Sequence, residues 1–151
     1  MKFYEKLPKY IKTSTTIRTY PYDYKWSQFQ RWKDSFPDAN IVDPEEKFNH
    51  VIANTDLVIS GWNTTTVLES ILSKVPTIIF WDPKYFEIKN DEKELFKNLK
   101  KVGIFHDSPI SAAKHAKNIW KDINSWWNNP EVTFIRNEFT NRHAYSNNII
   151  T

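Results

Sequence analysis

Short runs of β-branched residues alternate with longer stretches of helical periodicity along this chain of 151 residues. Each run is followed by apolar residues three or four positions apart, which predicts strands that alternate with helices. Strands are expected at residues 15–20, 39–42, 56–60, 76–81 and 104–106. Because strands that alternate with helices join through crossovers into parallel sheets, we predict an α/β fold. The expected form is a Rossmann-like three-layer sandwich with a mainly parallel sheet of about five strands and additional C-terminal helices.

Capping residues predict where the intervening helices begin and end. Helix starts are expected at residues 43–46, at Asn63, at a capping box of Asp91 and Glu94, at Ser108-Pro109 and at Asn129-Pro130. Gly103 is expected just past a helix end, where a positive φ favours glycine. Inward-facing residues are expected to include Trp26, Phe29, Trp32 and Phe36 in the first helix, and Ile110, Ala113, Ile119, Trp120 and Ile123 in the helix that begins at Ser108. The polar tail from Tyr145 is expected to fray.

Composition excludes several classes of protein. Aromatic residues at 16% and charged residues at 26% are typical of an ordered domain. The absence of cysteine excludes disulfides and thiolate zinc sites. The net charge of +3 has no basic stripe, which argues against a nucleic-acid partner. No apolar run is long enough for a transmembrane segment, and residues 1–12 do not resemble a secretory signal. A cytoplasmic location is therefore expected, with a peripheral position at the inner membrane face left open.

Only two glycines occur in the chain, at positions 61 and 103. The G-x-G-x-x-G turn of dinucleotide-binding folds and the P-loop both need several closely spaced glycines. Both common nucleotide-binding motifs of α/β proteins are therefore excluded. A ligand site must use another part of the sheet edge.

One segment combines a buried strand, a glycine turn and a helix start rich in hydroxyl groups. Ligands of parallel sheets bind beyond the carboxyl ends of the strands, and the first N–H groups of a helix favour anions. The pattern predicts a phosphate or diphosphate site formed by Ser60, Gly61, Asn63, Thr64, Thr65 and Thr66, with Glu69 placed to accept hydrogen bonds from ribose hydroxyls. The competing interpretation is an ordinary helix that Asn63 caps, with Glu69 an exposed helix residue.

Three further candidates lie in or directly after strand-like runs. The guanidinium group of Arg18 could bind a phosphate or pair with a nearby carboxylate. Asp82 and His106 could each contact a ligand or cap the next turn. Histidine spacing suggests no metal site, the catalytic residues stay unassigned, and no cofactor is expected. Trp126 and Trp127 are expected to seal the last helices against the sheet.

Four stretches resemble a family of bacterial transferases linked to surface carbohydrate synthesis. They are I-R-T-Y-P-Y-D-Y, V-I-S-G-W-N-T-T-T-V-L-E-S-I-L-S-K-V-P-T-I-I-F-W-D-P, V-G-I-F-H-D-S-P and I-N-S-W-W-N-N-P-E-V. They follow the same order as in that family, and the similarity extends from about Phe3 to Ala144. More distantly, the chain is similar to GT-B glycosyltransferases and to teichoic-acid glycerophosphotransferases.

The resemblance implies two Rossmann-like domains that face each other across a cleft. Residues 1–151 would be a single domain equivalent to the C-terminal, donor-nucleotide-binding half. The N-terminal half, which supplies much of the acceptor site, would be absent here and is an expected partner, as a lobe or as a separate chain. In that match Arg18 falls in an arginine-bearing strand motif, residues 60–66 fall in the donor-phosphate turn, and Glu69 falls at a position that meets ribose.

The function implied by the resemblance is part of a glycosyltransferase-like enzyme. It would bind a nucleotide-activated sugar or polyol phosphate donor for surface polysaccharide synthesis, and would be incomplete by itself. The alternative is a non-catalytic ligand-binding or protein-interaction module.

Overall fold

The computed structural model describes residues 1–42 and 45–144. Its five strands are β1 (Thr16–Arg18), β2 (Asn40–Val42), β3 (Val58–Ser60), β4 (Thr77–Phe80) and β5 (Phe105–His106). The helices are α1 (Lys2–Glu5), α2 (Lys9–Lys12), α3 (Gln28–Ser35), α4 (Phe48–Ile52), α5 (Thr65–Leu72), α6 (Lys93–Lys101), α7 (Pro109–Ile119), α8 (Ile123–Trp127) and α9 (Pro130–Ala144), and a 3₁₀ turn at Asn90–Glu92 precedes α6. Strands and helices alternate through most of the described chain, which confirms the α/β class.

The strands form two parallel sheets among the described residues, where one sheet of about five strands was expected. In the first sheet β1 pairs with β2, with Ile17 opposite Ile41. The second sheet has the order β3-β4-β5, with Ser60 opposite Ile79 and Phe80 opposite His106. The strands are only two to four residues long, so each ladder supplies few backbone hydrogen bonds. The parallel pairing is confirmed, whereas the single Rossmann-like sheet is not seen.

Strand β4 places neighbouring side chains in two different cores. Ile79 is fully buried among apolar residues of α5, α6 and α9. Ile78, also fully buried, belongs to a second core with residues of α1, α2 and α7. Successive side chains of a strand point to opposite faces. The continuous apolar run of β4 thus follows from helices that cover both faces of its sheet.

Local capping chemistry explains the boundaries that were predicted correctly. Ser108 accepts a hydrogen bond from the backbone N–H of Ser111, and Pro109 occupies the first turn of α7. Gly103 has a φ of 82° just past the end of α6.

Trp127 is buried, and the indole groups of Trp126 and Trp127 donate hydrogen bonds to the carbonyls of Val102 and Lys74. These two tryptophans therefore seal the last helices, as expected.

Several predicted helix starts and buried helix faces are wrong, because tertiary packing outweighs the local sequence preferences at these positions. Asp91 of the expected capping box lies in the 3₁₀ turn, and α6, which contains Glu94, begins at Lys93 without a side-chain cap. Ile110 is largely exposed, and Ile123 starts the separate helix α8. Trp26 and Phe29 are also exposed, whereas Trp32 and Phe36 pack against a core.

The helix start expected at residues 43–46 falls partly outside the described residues, as does the tail from Tyr145. Of that start, Glu45 and Glu46 lie in a turn, and α4 begins at Phe48. Helices α1 and α2, for which no expectation was made, supply Phe3, Tyr4 and Ile11 to the second core.

Candidate functional site

The first turn of α5 has no side-chain cap, a feature it shares with α1–α4 and α6. The residue before α5 is Thr64, in place of the expected Asn63, and the Thr64 side chain makes no capping hydrogen bond. Ser108 and Asp122 make such bonds at the starts of α7 and α8. Thr64 and Thr65 are exposed, while Thr66 is half-buried. The N–H groups of Thr65 and Thr66 are thus available to an anion from solvent, while the N–H of Val67 bonds the Thr64 carbonyl.

The turn that leads into α5 is held together by Ser60. Its hydroxyl donates to the Trp62 carbonyl at 2.7 Å and lies 3.4 Å from the Trp62 backbone nitrogen. A Cβ at Gly61 would meet Phe80 at 3.5 Å, an ordinary contact, so glycine is not sterically required there. Ser60, one of the predicted phosphate-site residues, therefore has a visible role in shaping the turn, whereas Gly61 shows no such role.

A cleft of about 160 Å³ lies beside this open helix end. Five residues line it, namely Trp62, Asn63, Trp81, Phe86 and Glu87. Trp62 and Asn63 follow β3 and Trp81 follows β4, so the cleft lies at the carboxyl ends of two paired parallel strands. The rings of Trp62 and Phe86 meet edge to face with centroids 3.8 Å apart. The cleft therefore combines aromatic surface with the amide of Asn63 and the carboxylate of Glu87.

Trp81 is the one wall of this cleft that is almost fully buried. It is 8% exposed, and its ring packs against Phe96 and Phe105. Its indole Nε1 is buried and has no hydrogen-bond partner among the described residues. A buried donor without an acceptor costs about 1–3 kcal/mol, and such groups in native proteins call for an explanation.

The two candidates after β4 and β5 have local structural roles. The Asp82 carboxylate accepts a hydrogen bond from the Lys84 backbone N–H at 2.9 Å and so closes the next turn. His106 is buried, with Nδ1 3.2 Å from the Ser111 hydroxyl and Nε2 3.0 Å from the Gly103 carbonyl. Neither residue lines the cleft beside α5. The turn-capping interpretation of Asp82 is thus the one that the geometry favours.

Arg18 and Glu69 do not line the cleft either. The Arg18 guanidinium donates to the Glu46 carbonyl at 3.0 Å and lies 5.7 Å from the Phe48 ring centroid. Glu69 is exposed on α5, one turn beyond the open end. Ligand contacts by these two residues stay predictions. Within the described part of the chain, no three His, Cys, Asp or Glu side chains lie close enough to share a metal ion.

His106, the last residue of β5, and His115, in α7, form a pair of neighbouring imidazoles. The rings of His106 and His115 are 5.2 Å apart, and His115 also contacts Trp126. Burial, together with the proximity of His106, lowers the pKa of His115 to about 4. Burial also lowers the pKa of His106. Both imidazoles are therefore neutral at pH 7, because protonation would place like charges side by side in a low-dielectric environment.

We expect the free energy of unfolding to fall between pH 6.5 and pH 4. The folded-state pKa of His115 lies below the ordinary value of 6.5, so the unfolded chain binds more protons in this window. The contribution is fully present above pH 6.5 and is lost as the pH falls towards about 4. After allowance for partial exposure, the loss from His115 is about 1–2 kcal/mol.

Urea unfolding at pH 7.5 and pH 5, followed by circular dichroism, measures this loss. His115→Gln should show a smaller drop than the parent chain, since only the parent can protonate at this position. His50→Gln, at an exposed position, is the matched control and should keep the parental drop. Equal drops in the parent and His115→Gln would contradict the expectation.

Comparison with known families gives one match. The model of the LIC12162 family transferases matches residues 1–151, the whole chain. The chain belongs to the LIC12162 transferase family. No curated protein and no solved structure shows a significant match.

Membership of the LIC12162 family confirms the expectation of a transferase family. The GT-B architecture, the nucleotide donor and the link to surface carbohydrate stay predictions. None of the described helices of this family member is long and apolar enough to cross a membrane.

Sequence reasoning missed most of the cleft in this LIC12162 family domain. Asn63 was predicted as a site residue, whereas Trp62, Trp81, Phe86 and Glu87 were not. A signal existed for Trp81, because a residue directly after a buried parallel strand lies at the ligand-binding edge. Phe86 and Glu87 lie in a loop before the 3₁₀ turn, and only tertiary folding brings that loop against Trp62.

Proposed function

We propose that this domain binds the nucleotide-activated donor of a transferase, a sugar or polyol phosphate used in surface polysaccharide synthesis. The donor diphosphate lies against the first turn of α5, and the rest of the donor extends along the neighbouring cleft. The observation that carries the proposal is the exposed start of α5, without a side-chain cap, beside an aromatic cleft at the carboxyl ends of β3 and β4.

The hydrogen-bond donors at the first turn of α5 can stabilise a leaving diphosphate. Helix N–H groups and the hydroxyls of Thr64 and Thr65 are donors without negative charge. Donors that are already oriented stabilise charge as it develops on a leaving group. Arg18, Thr66 and Glu69 remain candidates for further donor contacts. No cofactor takes part in this scheme, since the donor is itself the substrate.

The proposal includes a partner and a cellular location. An N-terminal lobe, in the same chain or a separate one, supplies acceptor contacts and completes a GT-B-like enzyme. The protein acts in the cytoplasm, including the inner membrane face. The competing function is a non-catalytic binding module, for which exposed Tyr22 and Trp26 are the favouring observation, at 70% and 61% exposure. Membership of a transferase family favours the enzyme.

Thr65→Pro should weaken the binding of nucleoside diphosphates by about tenfold. Thr65 is the first helical residue of α5, a position where proline is well tolerated. Thr64 has φ −122° and ψ 169°, an extended conformation that also suits the residue before proline. The substitution thus removes one N–H donor and one hydroxyl while the helix persists. A lost charge-assisted hydrogen bond of about 1.5 kcal/mol corresponds to that factor.

Isothermal titration calorimetry with UDP, GDP, CDP and ADP measures the effect. Thr65→Val, which keeps the backbone N–H, separates the hydroxyl contribution from that of the amide. Thr16→Val, at an exposed position of β1 outside the cleft, is the control for the loss of a threonine hydroxyl. If none of the four nucleotides binds with a millimolar or lower dissociation constant, the proposed function is excluded.

A further inference from the structure

The loop that joins β4 to α6 supplies three of the five residues that line the cleft beside α5, namely Trp81, Phe86 and Glu87. Its first part is fixed by a turn, in which the Asp82 carbonyl accepts hydrogen bonds from the N–H groups of Tyr85 and Phe86 at 3.0 and 3.3 Å. Its last part runs into the 3₁₀ turn Asn90–Glu92. The position of Phe86 and Glu87 therefore depends on what holds that second turn.

Two side chains from the last turn of α9 hold the 3₁₀ turn. The Arg142 guanidinium donates to the Asp91 carbonyl at 3.0 Å and lies 3.5 Å from the Glu92 carboxylate. His143 Nε2 lies 3.2 Å from Glu92 Oε2. Both of these atoms are buried, and among the described residues neither has a hydrogen-bond partner elsewhere. Glu92, Arg142 and His143 thus form one group of contacts, the Glu92 cluster, that joins the end of α9 to the end of the loop.

The Glu92 carboxylate is more deeply buried than the carboxylates of the other ion pairs in the described part of the chain. Its side chain is 15% exposed, against 43% for Asp107, 57% for Glu131 and 75% for Glu94. Exposed ion pairs contribute little because water and salt screen them. Removing one partner of a buried pair leaves a charge without compensation, so the backbone that carries it must move or admit water. The Glu92 cluster therefore constrains its turn more strongly than a surface ion pair would.

Helix α6 has contacts of its own that do not depend on the Glu92 cluster. The ring of Phe96 meets that of Phe139 in α9 edge to face, with centroids 6.5 Å apart, and Leu95 and Leu99 are buried in the same core. The domain should therefore stay folded when the Glu92 cluster is broken.

Ile88 connects the Glu92 cluster to the cleft. It is half-buried against the core that contains α6 and α9, and it directly follows Glu87 in the chain. A shift of the 3₁₀ turn moves Ile88 on that surface and, with it, the cleft residues Phe86 and Glu87. A contiguous chain of packed side chains of this kind can carry an effect to a site that the altered residue does not touch.

We infer that Glu92 is a positioning residue for the candidate site. Held by Arg142 and His143, it fixes the end of the loop and so sets where Phe86 and Glu87 lie against Trp62. Glu92 does not line the cleft, so it acts through the loop. Its effect on ligand affinity rests on the proposed function, whereas its effect on the loop does not.

Proton–nitrogen correlation spectra of the intact chain measure the position of the loop without any ligand. The rings of Trp62 and Phe86 lie edge to face with centroids 3.8 Å apart, so Phe86→Leu should displace the Trp62 indole signal, which is the one missing from Trp62→Phe. Glu92→Ala and Arg142→Met should each displace the Trp62 signal in the same direction as Phe86→Leu. The signal of Trp127, whose indole bonds the Lys74 carbonyl in the fold, should stay in place and show that the variants are folded.

Glu131→Ala and Lys101→Met are the matched controls, because they break an exposed ion pair at the first turn of α9. The Trp62 signal should stay at the parental position in both. Calorimetry with UDP, GDP, CDP and ADP should show binding about fivefold weaker in Glu92→Ala and Arg142→Met, and parental binding in the controls.

A Trp62 signal that keeps its parental position in Glu92→Ala and Arg142→Met, or that moves equally in the controls, would overturn the positioning role. A displaced Trp62 signal with unchanged nucleotide affinity would also overturn it, since the loop would then move without serving the site. If the parent chain binds none of the four nucleotides, the proposed function fails, and the spectra alone decide whether Glu92 positions the loop.

Discussion

Replacing Ile79 by alanine is expected to destabilise the domain by about 3–4 kcal/mol, close to the middle of the range for a buried isoleucine. Ile79 is fully buried in the middle strand of the three-stranded sheet, within the core formed with α5, α6 and α9. Truncation leaves a cavity that the surrounding rings cannot fill without distortion. For a domain of about 150 residues, this corresponds to a drop in Tm of about 10 °C.

Thermal and urea unfolding of the purified chain measures the change. Leu72→Ala, on the exposed end of α5, removes a comparable side chain without opening a cavity and should cost less than about 1 kcal/mol. Similar destabilisation by the two substitutions would contradict the core described for Ile79.

Gly103→Ala is expected to cost about 3–4 kcal/mol for two separate reasons. The φ of 82° lies in the left-handed region, where a Cβ costs about 1–2 kcal/mol. A Cβ at this position would also lie 2.5 Å from the Cε1 and Nε2 atoms of His115. His115 cannot move away freely, because its ring contacts both His106 and Trp126. Overpacking of this kind adds about 1–3 kcal/mol.

A double-mutant cycle separates these two causes. His115→Ala removes the ring that the new methyl group would contact, so the double variant should be less destabilised than the sum of the single variants by about 1–2 kcal/mol. The remaining cost of Gly103→Ala in that background is the backbone term. Urea unfolding of the four proteins gives all of these values, and strict additivity would show that the methyl group does not meet His115.

Trp81 belongs both to the hydrophobic core and to the lining of the candidate site. Trp81 lines the cleft, and its ring packs on Phe96 and Phe105 in the core that contains Ile79. Variants that loosen this core are therefore expected to affect ligand binding through Trp81. Binding data for such variants need to be read beside their unfolding free energies.

Part of the site could be predicted because it depends on local order along the chain. A buried strand followed directly by a helix places the first N–H groups of that helix at the sheet edge, and residues 58–66 have this order. The exact capping residue was wrong by one position, since both Asn63 and Thr64 are suitable types and tertiary packing of the turn through Ser60 and Trp62 selects between them. The role of Asp82 depended on a turn whose hydrogen bond only the folded chain reveals.

The sequence by itself determined the α/β class, the parallel pairing, the buried run of β4 and the glycine at position 103, because hydrophobic periodicity and backbone sterics act over a few residues. Only the tertiary structure decided that the strands divide into two sheets, and that a loop with Phe86 and Glu87 closes over Trp62 and Trp81. Those outcomes depend on contacts between residues far apart in the chain, whose free energies no local pattern encodes. The unpartnered indole of Trp81 belongs to this second group, since a missing acceptor is defined by everything that surrounds it.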